Sequence, residues 1–506
     1  MTSGNSESIL RKRTQNDANF DVTFKDNNEL NIKGITNNHR RKTKASSHFN
    51  FKEKGKMHYL KITLVLSIIL SYLVNFIIFN DTIVSTINTI ISVMFSLPIF
   101  FYSSHYEPPL ALGNVPCDCN YDESVSIVIP NKTSIDDVDD VIINTRITLE
   151  SLKWFKGQVI VIDDSPSPIW NLLSEQIYSK YSEYIILKRI EPKDKKAGAL
   201  NSVLFGDRFI NTLGNYCEFH LSTKFMFILD SDFTLNSEAR EMFKIANLTE
   251  NFGAIIACPR YRNDSIWTAF GNGSYKFFQI LMRGSIPLSM GSLTLYSAKA
   301  LREINGFNCS TSSEDIKTSI DLYQKGFKQI LVDVLPGYGL GPECFISTCM
   351  QFSRWARGSG WLFIDLLRNL KSKGIPVKVK IRIISFLTWY FGIVLNLSLA
   401  LILAIFWKEN IKAALIGFIP LLFGFLSYGL FMKKAGLNKK EIIAMVFVWF
   451  LIAPILAVSF ILGIFEGLLK KNQPFVVTPK SNIKKLSKYH LTFAYLLTLV
   501  IFLFLI

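Results

Sequence analysis

The apolar residues of this 506-residue chain collect in membrane-length blocks on either side of a long stretch of soluble composition. That distribution restricts the possible folds more than any other feature. The blocks are residues 60–79, 83–101, 381–407, 413–431, 442–468 and 491–506. Most of them reach the ~17–25 residues that a helix needs to cross a hydrocarbon core. Residues 102–380 have the composition of an α/β domain large enough to bury its own core. With 49% hydrophobic residues overall, the chain is too apolar for a fully soluble protein and too long for one ordinary domain.

The net charge of +16 follows the same partition. Basic residues cluster beside the apolar blocks and no nucleic-acid motif accompanies them, so the charge marks the cytoplasmic side of a membrane and not a nucleic-acid surface. Residues 1–57 carry twelve Lys and Arg among Asn and Ser, and read as a disordered basic cytoplasmic tail. Residues 58–104 then form two transmembrane helices joined by a short link near Asn80-Asp81, which returns the chain to the cytoplasm. The chain is thus expected to be a multi-pass protein of the cell membrane with a cytosolic domain. A single crossing by residues 442–468 would put 469–490 outside, yet that stretch has six lysines and no acid. Residues 381–468 are therefore read as transmembrane and re-entrant, with 442–468 a hairpin broken near Pro454 or an interfacial helix. Residues 491–506 form a last span. The seven cysteines are odd in number and fit no disulfide or zinc spacing, so they are read as reduced.

Within the soluble region, residues 105–345, three apolar and β-branched runs at 124–130, 158–162 and 224–229 read as buried strands. A helical stretch at 145–154 separates the first two. This alternation predicts a doubly wound, mostly parallel sheet, whose ligands bind beyond the carboxyl ends of the strands. Two acidic motifs fall there. Asp230-Ser231-Asp232 follows the third strand and puts two carboxylates at i and i+2, on one side of an extended chain, where they suit Mg²⁺ or Mn²⁺ shared with substrate phosphates. Asp163-Asp164 follows the second strand and suits either a loop or a hydrogen bond to a ribose or base edge.

Three further motifs carry chemistry. Ser313-Glu314-Asp315 precedes a helical pattern at 316–325 and reads either as a helix cap or as a site in which Asp315 is a general base. Gln351-Phe352-Ser353-Arg354-Trp355 lies in an amphipathic stretch within residues 346–380, read as interfacial helices. There Arg354 suits a lipid phosphate or a leaving diphosphate, and Trp355 a lipid interface or the flat face of a sugar. Lys193, Lys195 and Lys196 form either a phosphate-binding patch or a solvated charge run.

The order Asp-Asp, Asp-x-Asp, Ser-Glu-Asp and Gln-x-x-Arg-Trp resembles the family 2 glycosyltransferases, in particular their membrane-embedded, cellulose-synthase-like branch. The resemblance covers roughly residues 124–480. Lys196-Ala-Gly-Ala-Leu-Asn201, Pro259-Arg-Tyr-Arg-Asn263 and Gly341-Pro-Glu343 agree with it, and Phe475-Val-Val-Thr478-Pro-Lys480 resembles a gating loop in the cytosolic stretch 469–490. Ser313 departs from it, since Thr is usual there. The resemblance implies a GT-A type α/β domain inserted between transmembrane helices, with a UDP-sugar donor and Mg²⁺ or Mn²⁺ as cofactor. It implies Asp315 as base and Asp230 and Asp232 at the metal. Asp163, Asp164, Lys196, Asp230, Gln351, Arg354, Trp355, Phe475, Thr478 and Lys480 would hold nucleotide and substrate. The implied activity is inverting hexosyl transfer, by default of glucose, onto a growing β-linked polysaccharide that is exported across the bilayer. A second reading is a single transfer to a lipid acceptor, a polyprenyl phosphate or a ceramide-like molecule. No motif identifies a protein partner.

Overall fold

The computed structural model describes residues 21–25, 29–33, 121–132, 138–282, 287–368, 380, 383–384, 433, 436–448 and 453–469. Phe475, Thr478 and Lys480 lie outside these residues, as do Cys117, Cys119, four of the expected spans (60–79, 83–101, 413–431, 491–506) and all of 381–407 except Ile383 and Ile384. Among the described residues no helix is long and apolar enough to cross a membrane. The expected insertion between spanning helices therefore has no counterpart there.

Strands β1 (Asp21–Lys25) and β2 (Glu29–Lys33) pair antiparallel, with Val22 opposite Ile32 and Phe24 opposite Leu30. They fall in the segment expected to be disordered. Apolar residues at every second position supply a strand pattern that the segment's polar average conceals.

The main body runs β3 (Val125–Asn131), α1 (Val138–Glu150), β4 (Gln158–Asp163), α2 (Ser167–Gln176), β5 (Ile185–Arg189), α3 (Lys195–Phe205), β6 (Asp207–Asn211), β7 (Tyr216–Phe219), β8 (Phe225–Ile228), β9 (Thr234–Leu235), α4 (Ala239–Leu248), β10 (Phe252–Ala257), β11 (Arg260–Tyr261) and α5 (Ile266–Met282). It continues through β12 (Thr294–Ser297), α6 (Ala298–Glu303), α7 (Glu314–Gln324), β13 (Lys328–Val332), β14 (Gly337–Gly339), α8 (Phe345–Arg368), α9 (Lys439–Phe447) and α10 (Ala453–Leu468). Nine strands form one sheet in the order β13-β10-β12-β8-β3-β4-β5-β6-β7.

The central strands are apolar at nearly every position because both faces of the sheet are covered. Val128, Ile160, Ile162, Met226 and Ile228 face α3, α5 and α8. Ile127, Ile129, Val159, Val161 and Phe227 face α2 and α4.

The sheet is mixed, which corrects the expectation of a mostly parallel one. The pairs β3–β4, β4–β5, β3–β8 and β10–β13 are parallel, while β5–β6, β6–β7, β8–β12 and β12–β10 are antiparallel. One departure is the β6–β7 hairpin at the edge. The other is β12, which runs antiparallel between β8 and β10 with Thr294 opposite Ile228. Its direction brings the loop before it, Ser289–Leu293, across the carboxyl end of β8.

Helix α8 is wedged between this core and α10. A Cβ on Gly463 or Gly467 would collide with the carbonyls of Ser353 or Arg357, and one on Gly360 would come within 2.8 Å of the Ile464 carbonyl. These three glycines let the two helices approach at backbone distance, and Arg357 adds an ion pair to Glu466. Residues 442–468 are thus described as parts of two helices. The first, α9, packs on α5 where Gly273 meets Met445 and Leu437, and the second lies along α8.

Candidate active site

The carboxyl ends of β3, β4 and β8 lie side by side, and the polar residues that follow them form the floor of the site. Asp163 is fully buried. Its carboxylate accepts from Tyr178 Oη at 2.5 Å, Asn131 Nδ2 at 3.1 Å and the Ser165 amide at 2.7 Å. Burial raises its pKa, and these three donors oppose the rise. Expected to touch nucleotide, Asp163 instead ties two strand ends to the 3₁₀ turn at Tyr178. No sequence signal linked it to Tyr178, fifteen residues on.

Asp164 makes a bidentate ion pair with Arg189, Nε to Oδ1 at 2.7 Å and Nη2 to Oδ2, with both side chains about 5% exposed. Arg189 also donates to the carbonyls of Lys193 at 2.9 Å and Lys195 at 3.3 Å. Arg189 therefore clamps the loop that leads into α3. Sequence reading missed it because it ends a strand with no motif around it. Asp194 and Lys195 turn that loop with φ of 59° and 56°. Gly198 is required because a Cβ there would strike the Lys193 carbonyl. Arg189→Ala should strand a buried carboxylate and release the loop. Removing one member of such a pair costs about 3–5 kcal/mol, so we expect a marked fall in the thermal unfolding midpoint.

Of the three lysines in this loop, only Lys196 enters the site. Lys193 is exposed and pairs with Glu191, and Lys195 is exposed. Lys196 stands in the first turn of α3 and donates to Asp230 Oδ1 at 2.5 Å and to the Gly291 carbonyl at 3.1 Å. Burial alone would lower its pKa, but Asp230, Glu314 and Asp315 together raise it. Asn201, at the far end of the same motif, clasps the backbone of Phe307 by two hydrogen bonds of 2.7 and 2.8 Å.

Asp230 to Phe233 form a tight turn, closed by the Phe233 amide on the Asp230 carbonyl at 2.9 Å. The strand stops at Ile228, so the alternation of an extended chain does not set the directions of Asp230 and Asp232, as the sequence reading had assumed. The turn is fixed from outside. Thr148 Oγ1 donates to the Ser231 carbonyl at 2.9 Å, and the Asp230 amide donates to Ser292 Oγ at 3.0 Å. Among the described residues no group of three or more His, Cys, Asp or Glu could hold a metal by itself. Two carboxylates suit a hard cation that takes its other ligands from a diphosphate and water. The donor set therefore fits Mg²⁺ or Mn²⁺ arriving with the substrate.

The antiparallel entry of β12 places Gly291 (φ 89°) between the two acidic motifs. A Cβ there would stand 3.2 Å from Asp315 Oδ2 and 3.7 Å from Lys196 Nζ. Asp230, Lys196, Gly291 and Asp315 consequently form one continuous cluster. Burial and then the adjoining Glu314 raise the pKa of Asp315 to about 7. Burial also raises Glu314, with Lys196 opposing. Ser313 occupies the cap position of α7 without capping it, because its side chain packs against Gly358 of α8.

Gln351, Arg354 and Trp355 project from the first half of α8. Gln351 is buried and donates through Nε2 to Tyr261 Oη at 3.0 Å. Burial raises the pKa of Glu314, Tyr261 and Tyr275, and the charge of the Arg354 cation opposes the rise at each. Trp355 packs edge-on against Phe352 at 5.0 Å and Tyr275 at 5.7 Å, and remains partly exposed. Lys196, Asp230 and Asp315 are thus brought together around Gly291, Gln351 is held on Tyr261, and Asp164 is held by Arg189.

Residues 253–462 match the family described as glycosyl transferase family group 2. The chain is 27% identical over 208 residues to a probable glycosyltransferase of Sulfolobus acidocaldarius, a match spanning 39% of this chain and 44% of that protein. It is 25% identical over 316 residues to poly-beta-1,6-N-acetyl-D-glucosamine synthase of Staphylococcus aureus, spanning 59% of this chain and 70% of that one. Among solved structures, the mannosyltransferase PcManGT of Pyrobaculum calidifontis, in complex with GDP-Man and Mn²⁺, aligns at 14% identity and a TM-score of 0.47, covering 77% of this chain and all of that one. TarS of S. aureus aligns at 14% identity and a TM-score of 0.34, covering 69% and 54%. Residues 253–462 thus carry a match to a glycosyl transferase family group 2 domain, the chain spans less than half the length of the Sulfolobus relative, and transfer of a hexosyl unit is consistent with these sequence matches.

Proposed function

We propose that the protein is an inverting sugar transferase that elongates a β-linked polysaccharide from a UDP-sugar at a membrane. The observation that carries this reading is the contact cluster of Lys196, Asp230, Gly291 and Asp315 at the carboxyl end of β8. It sets a carboxyl of raised pKa next to a cation and next to a pair of carboxylates suited to a metal-bound diphosphate. A general base near neutrality and a charge sink for the leaving group are the two requirements of hydroxyl attack at an anomeric carbon.

In this mechanism the ionised Asp315 accepts the proton of an acceptor hydroxyl. The hydroxyl oxygen bonds to the anomeric carbon from the face opposite the diphosphate. The bond from that carbon to the diphosphate oxygen breaks, and UDP leaves with the electron pair. Lys196 and Arg354 meet its charge, and Asp230 and Asp232 would hold a divalent cation that shares it. Asp164, braced by Arg189, has lone pairs left to accept the uracil N–H. Trp355, which is partly exposed, would offer its ring to the acceptor sugar. The name of the staphylococcal relative makes UDP-N-acetylglucosamine the donor we propose, in place of glucose. The apolar blocks outside the described residues support membrane insertion and export of the product.

The test is product partition. Full-length protein in vesicles, with Mn²⁺ or Mg²⁺ and labelled UDP-N-acetylglucosamine or UDP-glucose, should place label in a large, polar fraction that glycosidase releases. Label found only in the organic phase would replace polymer synthesis by a single transfer to lipid. No transfer from either donor would overturn the donor assignment.

A further inference from the structure

The aromatic layer under α8 contains a polar chain that the reaction scheme does not use. Tyr261 Oη accepts from Gln351 Nε2 at 3.0 Å and donates to Tyr275 Oη at 3.2 Å. All three residues are at least nine-tenths buried. Burial raises the pKa of both phenols above the ordinary value of 10, so at working pH they act only as neutral hydrogen-bonding groups. Gln351 Oε1 is buried with no hydrogen-bond partner. A buried amide oxygen without a donor is costly unless something else supplies one.

Tyr261 is fixed more tightly than core packing requires. Its backbone pairs in β11 with Gly339 of β14, and its amide donates to Asn272 Oδ1 at 2.7 Å. Two glycines close on one edge of its ring. A Cβ on Gly271 would lie 2.6 Å from Cε2, and one on Gly341 2.5 Å from Cδ2. Tyr275 packs edge-on against Tyr261 at 5.3 Å and touches Trp355 on its other side.

From this arrangement we infer that Tyr261 is a positioning residue for sugar transfer: its hydroxyl holds the Gln351 amide with Nε2 inward, so that Oε1 is presented as an acceptor to a donor group of the incoming saccharide. This rests on the transferase reading above. Gln351 touches the substrate, and Tyr261 acts through it. An amide has two ends of opposite hydrogen-bonding character and nearly equal shape. Without the phenol it can turn over and present a donor where an acceptor is needed. The Pro259–Asn263 segment thereby gains a task in acceptor selection.

The experiment uses the full-length enzyme with UDP-N-acetylglucosamine and a β-linked N-acetylglucosamine oligomer as acceptor. Tyr261→Phe keeps the ring and removes the hydroxyl. Loss of one such hydrogen bond corresponds to about a tenfold change, expected as a rise in acceptor KM, with donor KM and acceptor-independent release of UDP unchanged. In a Gln351→Ala background the same substitution should have no further effect, because two residues acting through one interaction are not additive. Wild-type kinetics in Tyr261→Phe, or an equal effect in both backgrounds, would overturn the inference and leave Tyr261 as packing. If the parent enzyme transferred no sugar to the oligomer, the transferase reading would fail before the variant was considered. Tyr275→Phe, one step further along the chain, should change acceptor KM by no more than about twofold if Tyr261 is the contact that matters.

Discussion

Asp315→Asn is expected to lower sugar transfer by about 10²–10⁴-fold, the usual contribution of a positioned base, while UDP-sugar binding changes little. The asparagine keeps the shape of the side chain. It can still accept from the Ile316 amide, which Asp315 does at 2.8 Å. What it loses is the site for the proton. Radiolabelled transfer and donor calorimetry on the same preparation separate the two properties, and a variant with normal turnover would remove Asp315 from the scheme.

The pH profile follows from the same group. Asp315 has a pKa of about 7, raised by burial and by Glu314. It must be ionised to accept a proton, so turnover should climb as pH rises through 7, and the climb should vanish in the residual activity of the Asn variant. Stability should move the other way. The folded protein holds this proton at pH values where an unfolded aspartate, with its ordinary pKa of about 3.9, has already released it. Stability is therefore expected to fall as pH rises from that value to about 7, and less so in the variant.

Gly358→Ala is expected to lower transfer by about 10²-fold although residue 358 lies outside the Lys196–Asp230–Asp315 cluster. The added methyl would come within 2.8 Å of Ser313 Cβ and closer still to Ser313 Oγ. Rotating the hydroxyl away cannot relieve the carbon contact, so α7 must move off α8. That motion displaces Asp315, at the start of α7, from the Lys196–Gly291 cluster, and misplacement by about 1 Å costs on the order of 10²-fold. Overpacking adds about 1–3 kcal/mol of destabilisation, visible as a lower unfolding midpoint. Combining Gly358→Ala with Ser313→Ala removes the nearer clash and should restore part of both losses. Full activity in the single variant would show that the two motifs are not coupled through this contact. The contact also gives a reason for the smaller residue at 313, where the resembling family has Thr: the side chain faces a helix backbone across the width of a glycine.

Much of the fold was legible because the central strands are buried on both faces. A run such as Val159-Ile160-Val161-Ile162 has few alternatives to an interior strand, and the acids after it fall at the sheet edge wherever the helices pack. The antiparallel strand β12 was not legible. Thr294–Ser297 is short, and the direction of a strand depends on which neighbours it meets, a non-local property. Missing it meant missing Gly291 and Ser292, which lie in the loop that this direction carries into the site. Arg189 was passed over, and Tyr261 was noted only as part of the Pro259–Asn263 segment with no role, for a related reason. Each ends or forms a strand, and each gains its role only from partners that the fold brings near: Asp164 at 25 residues' separation and Gln351 at 90. Asp163 and Asp164 are equivalent in sequence, and only the fold decides that the first is buried against Tyr178 and Asn131 and the second meets Arg189.

The sequence by itself determined which residue types could do the chemistry and in what order they occur, because carboxylates for a cation and a base, and cations for a diphosphate, must be written into the chain. It also determined that the central strands are interior, since their apolar runs have nowhere else to go. Only the tertiary structure decided that Asp163 is enclosed by Tyr178, Asn131 and Ser165 while Asp164 meets Arg189, that Lys196 rather than Lys193 or Lys195 reaches Asp230, and that a serine and a glycine 45 residues apart set how closely α7 and α8 approach. Those outcomes depend on distances between segments remote in the chain, which are fixed by packing and are not encoded in any local pattern.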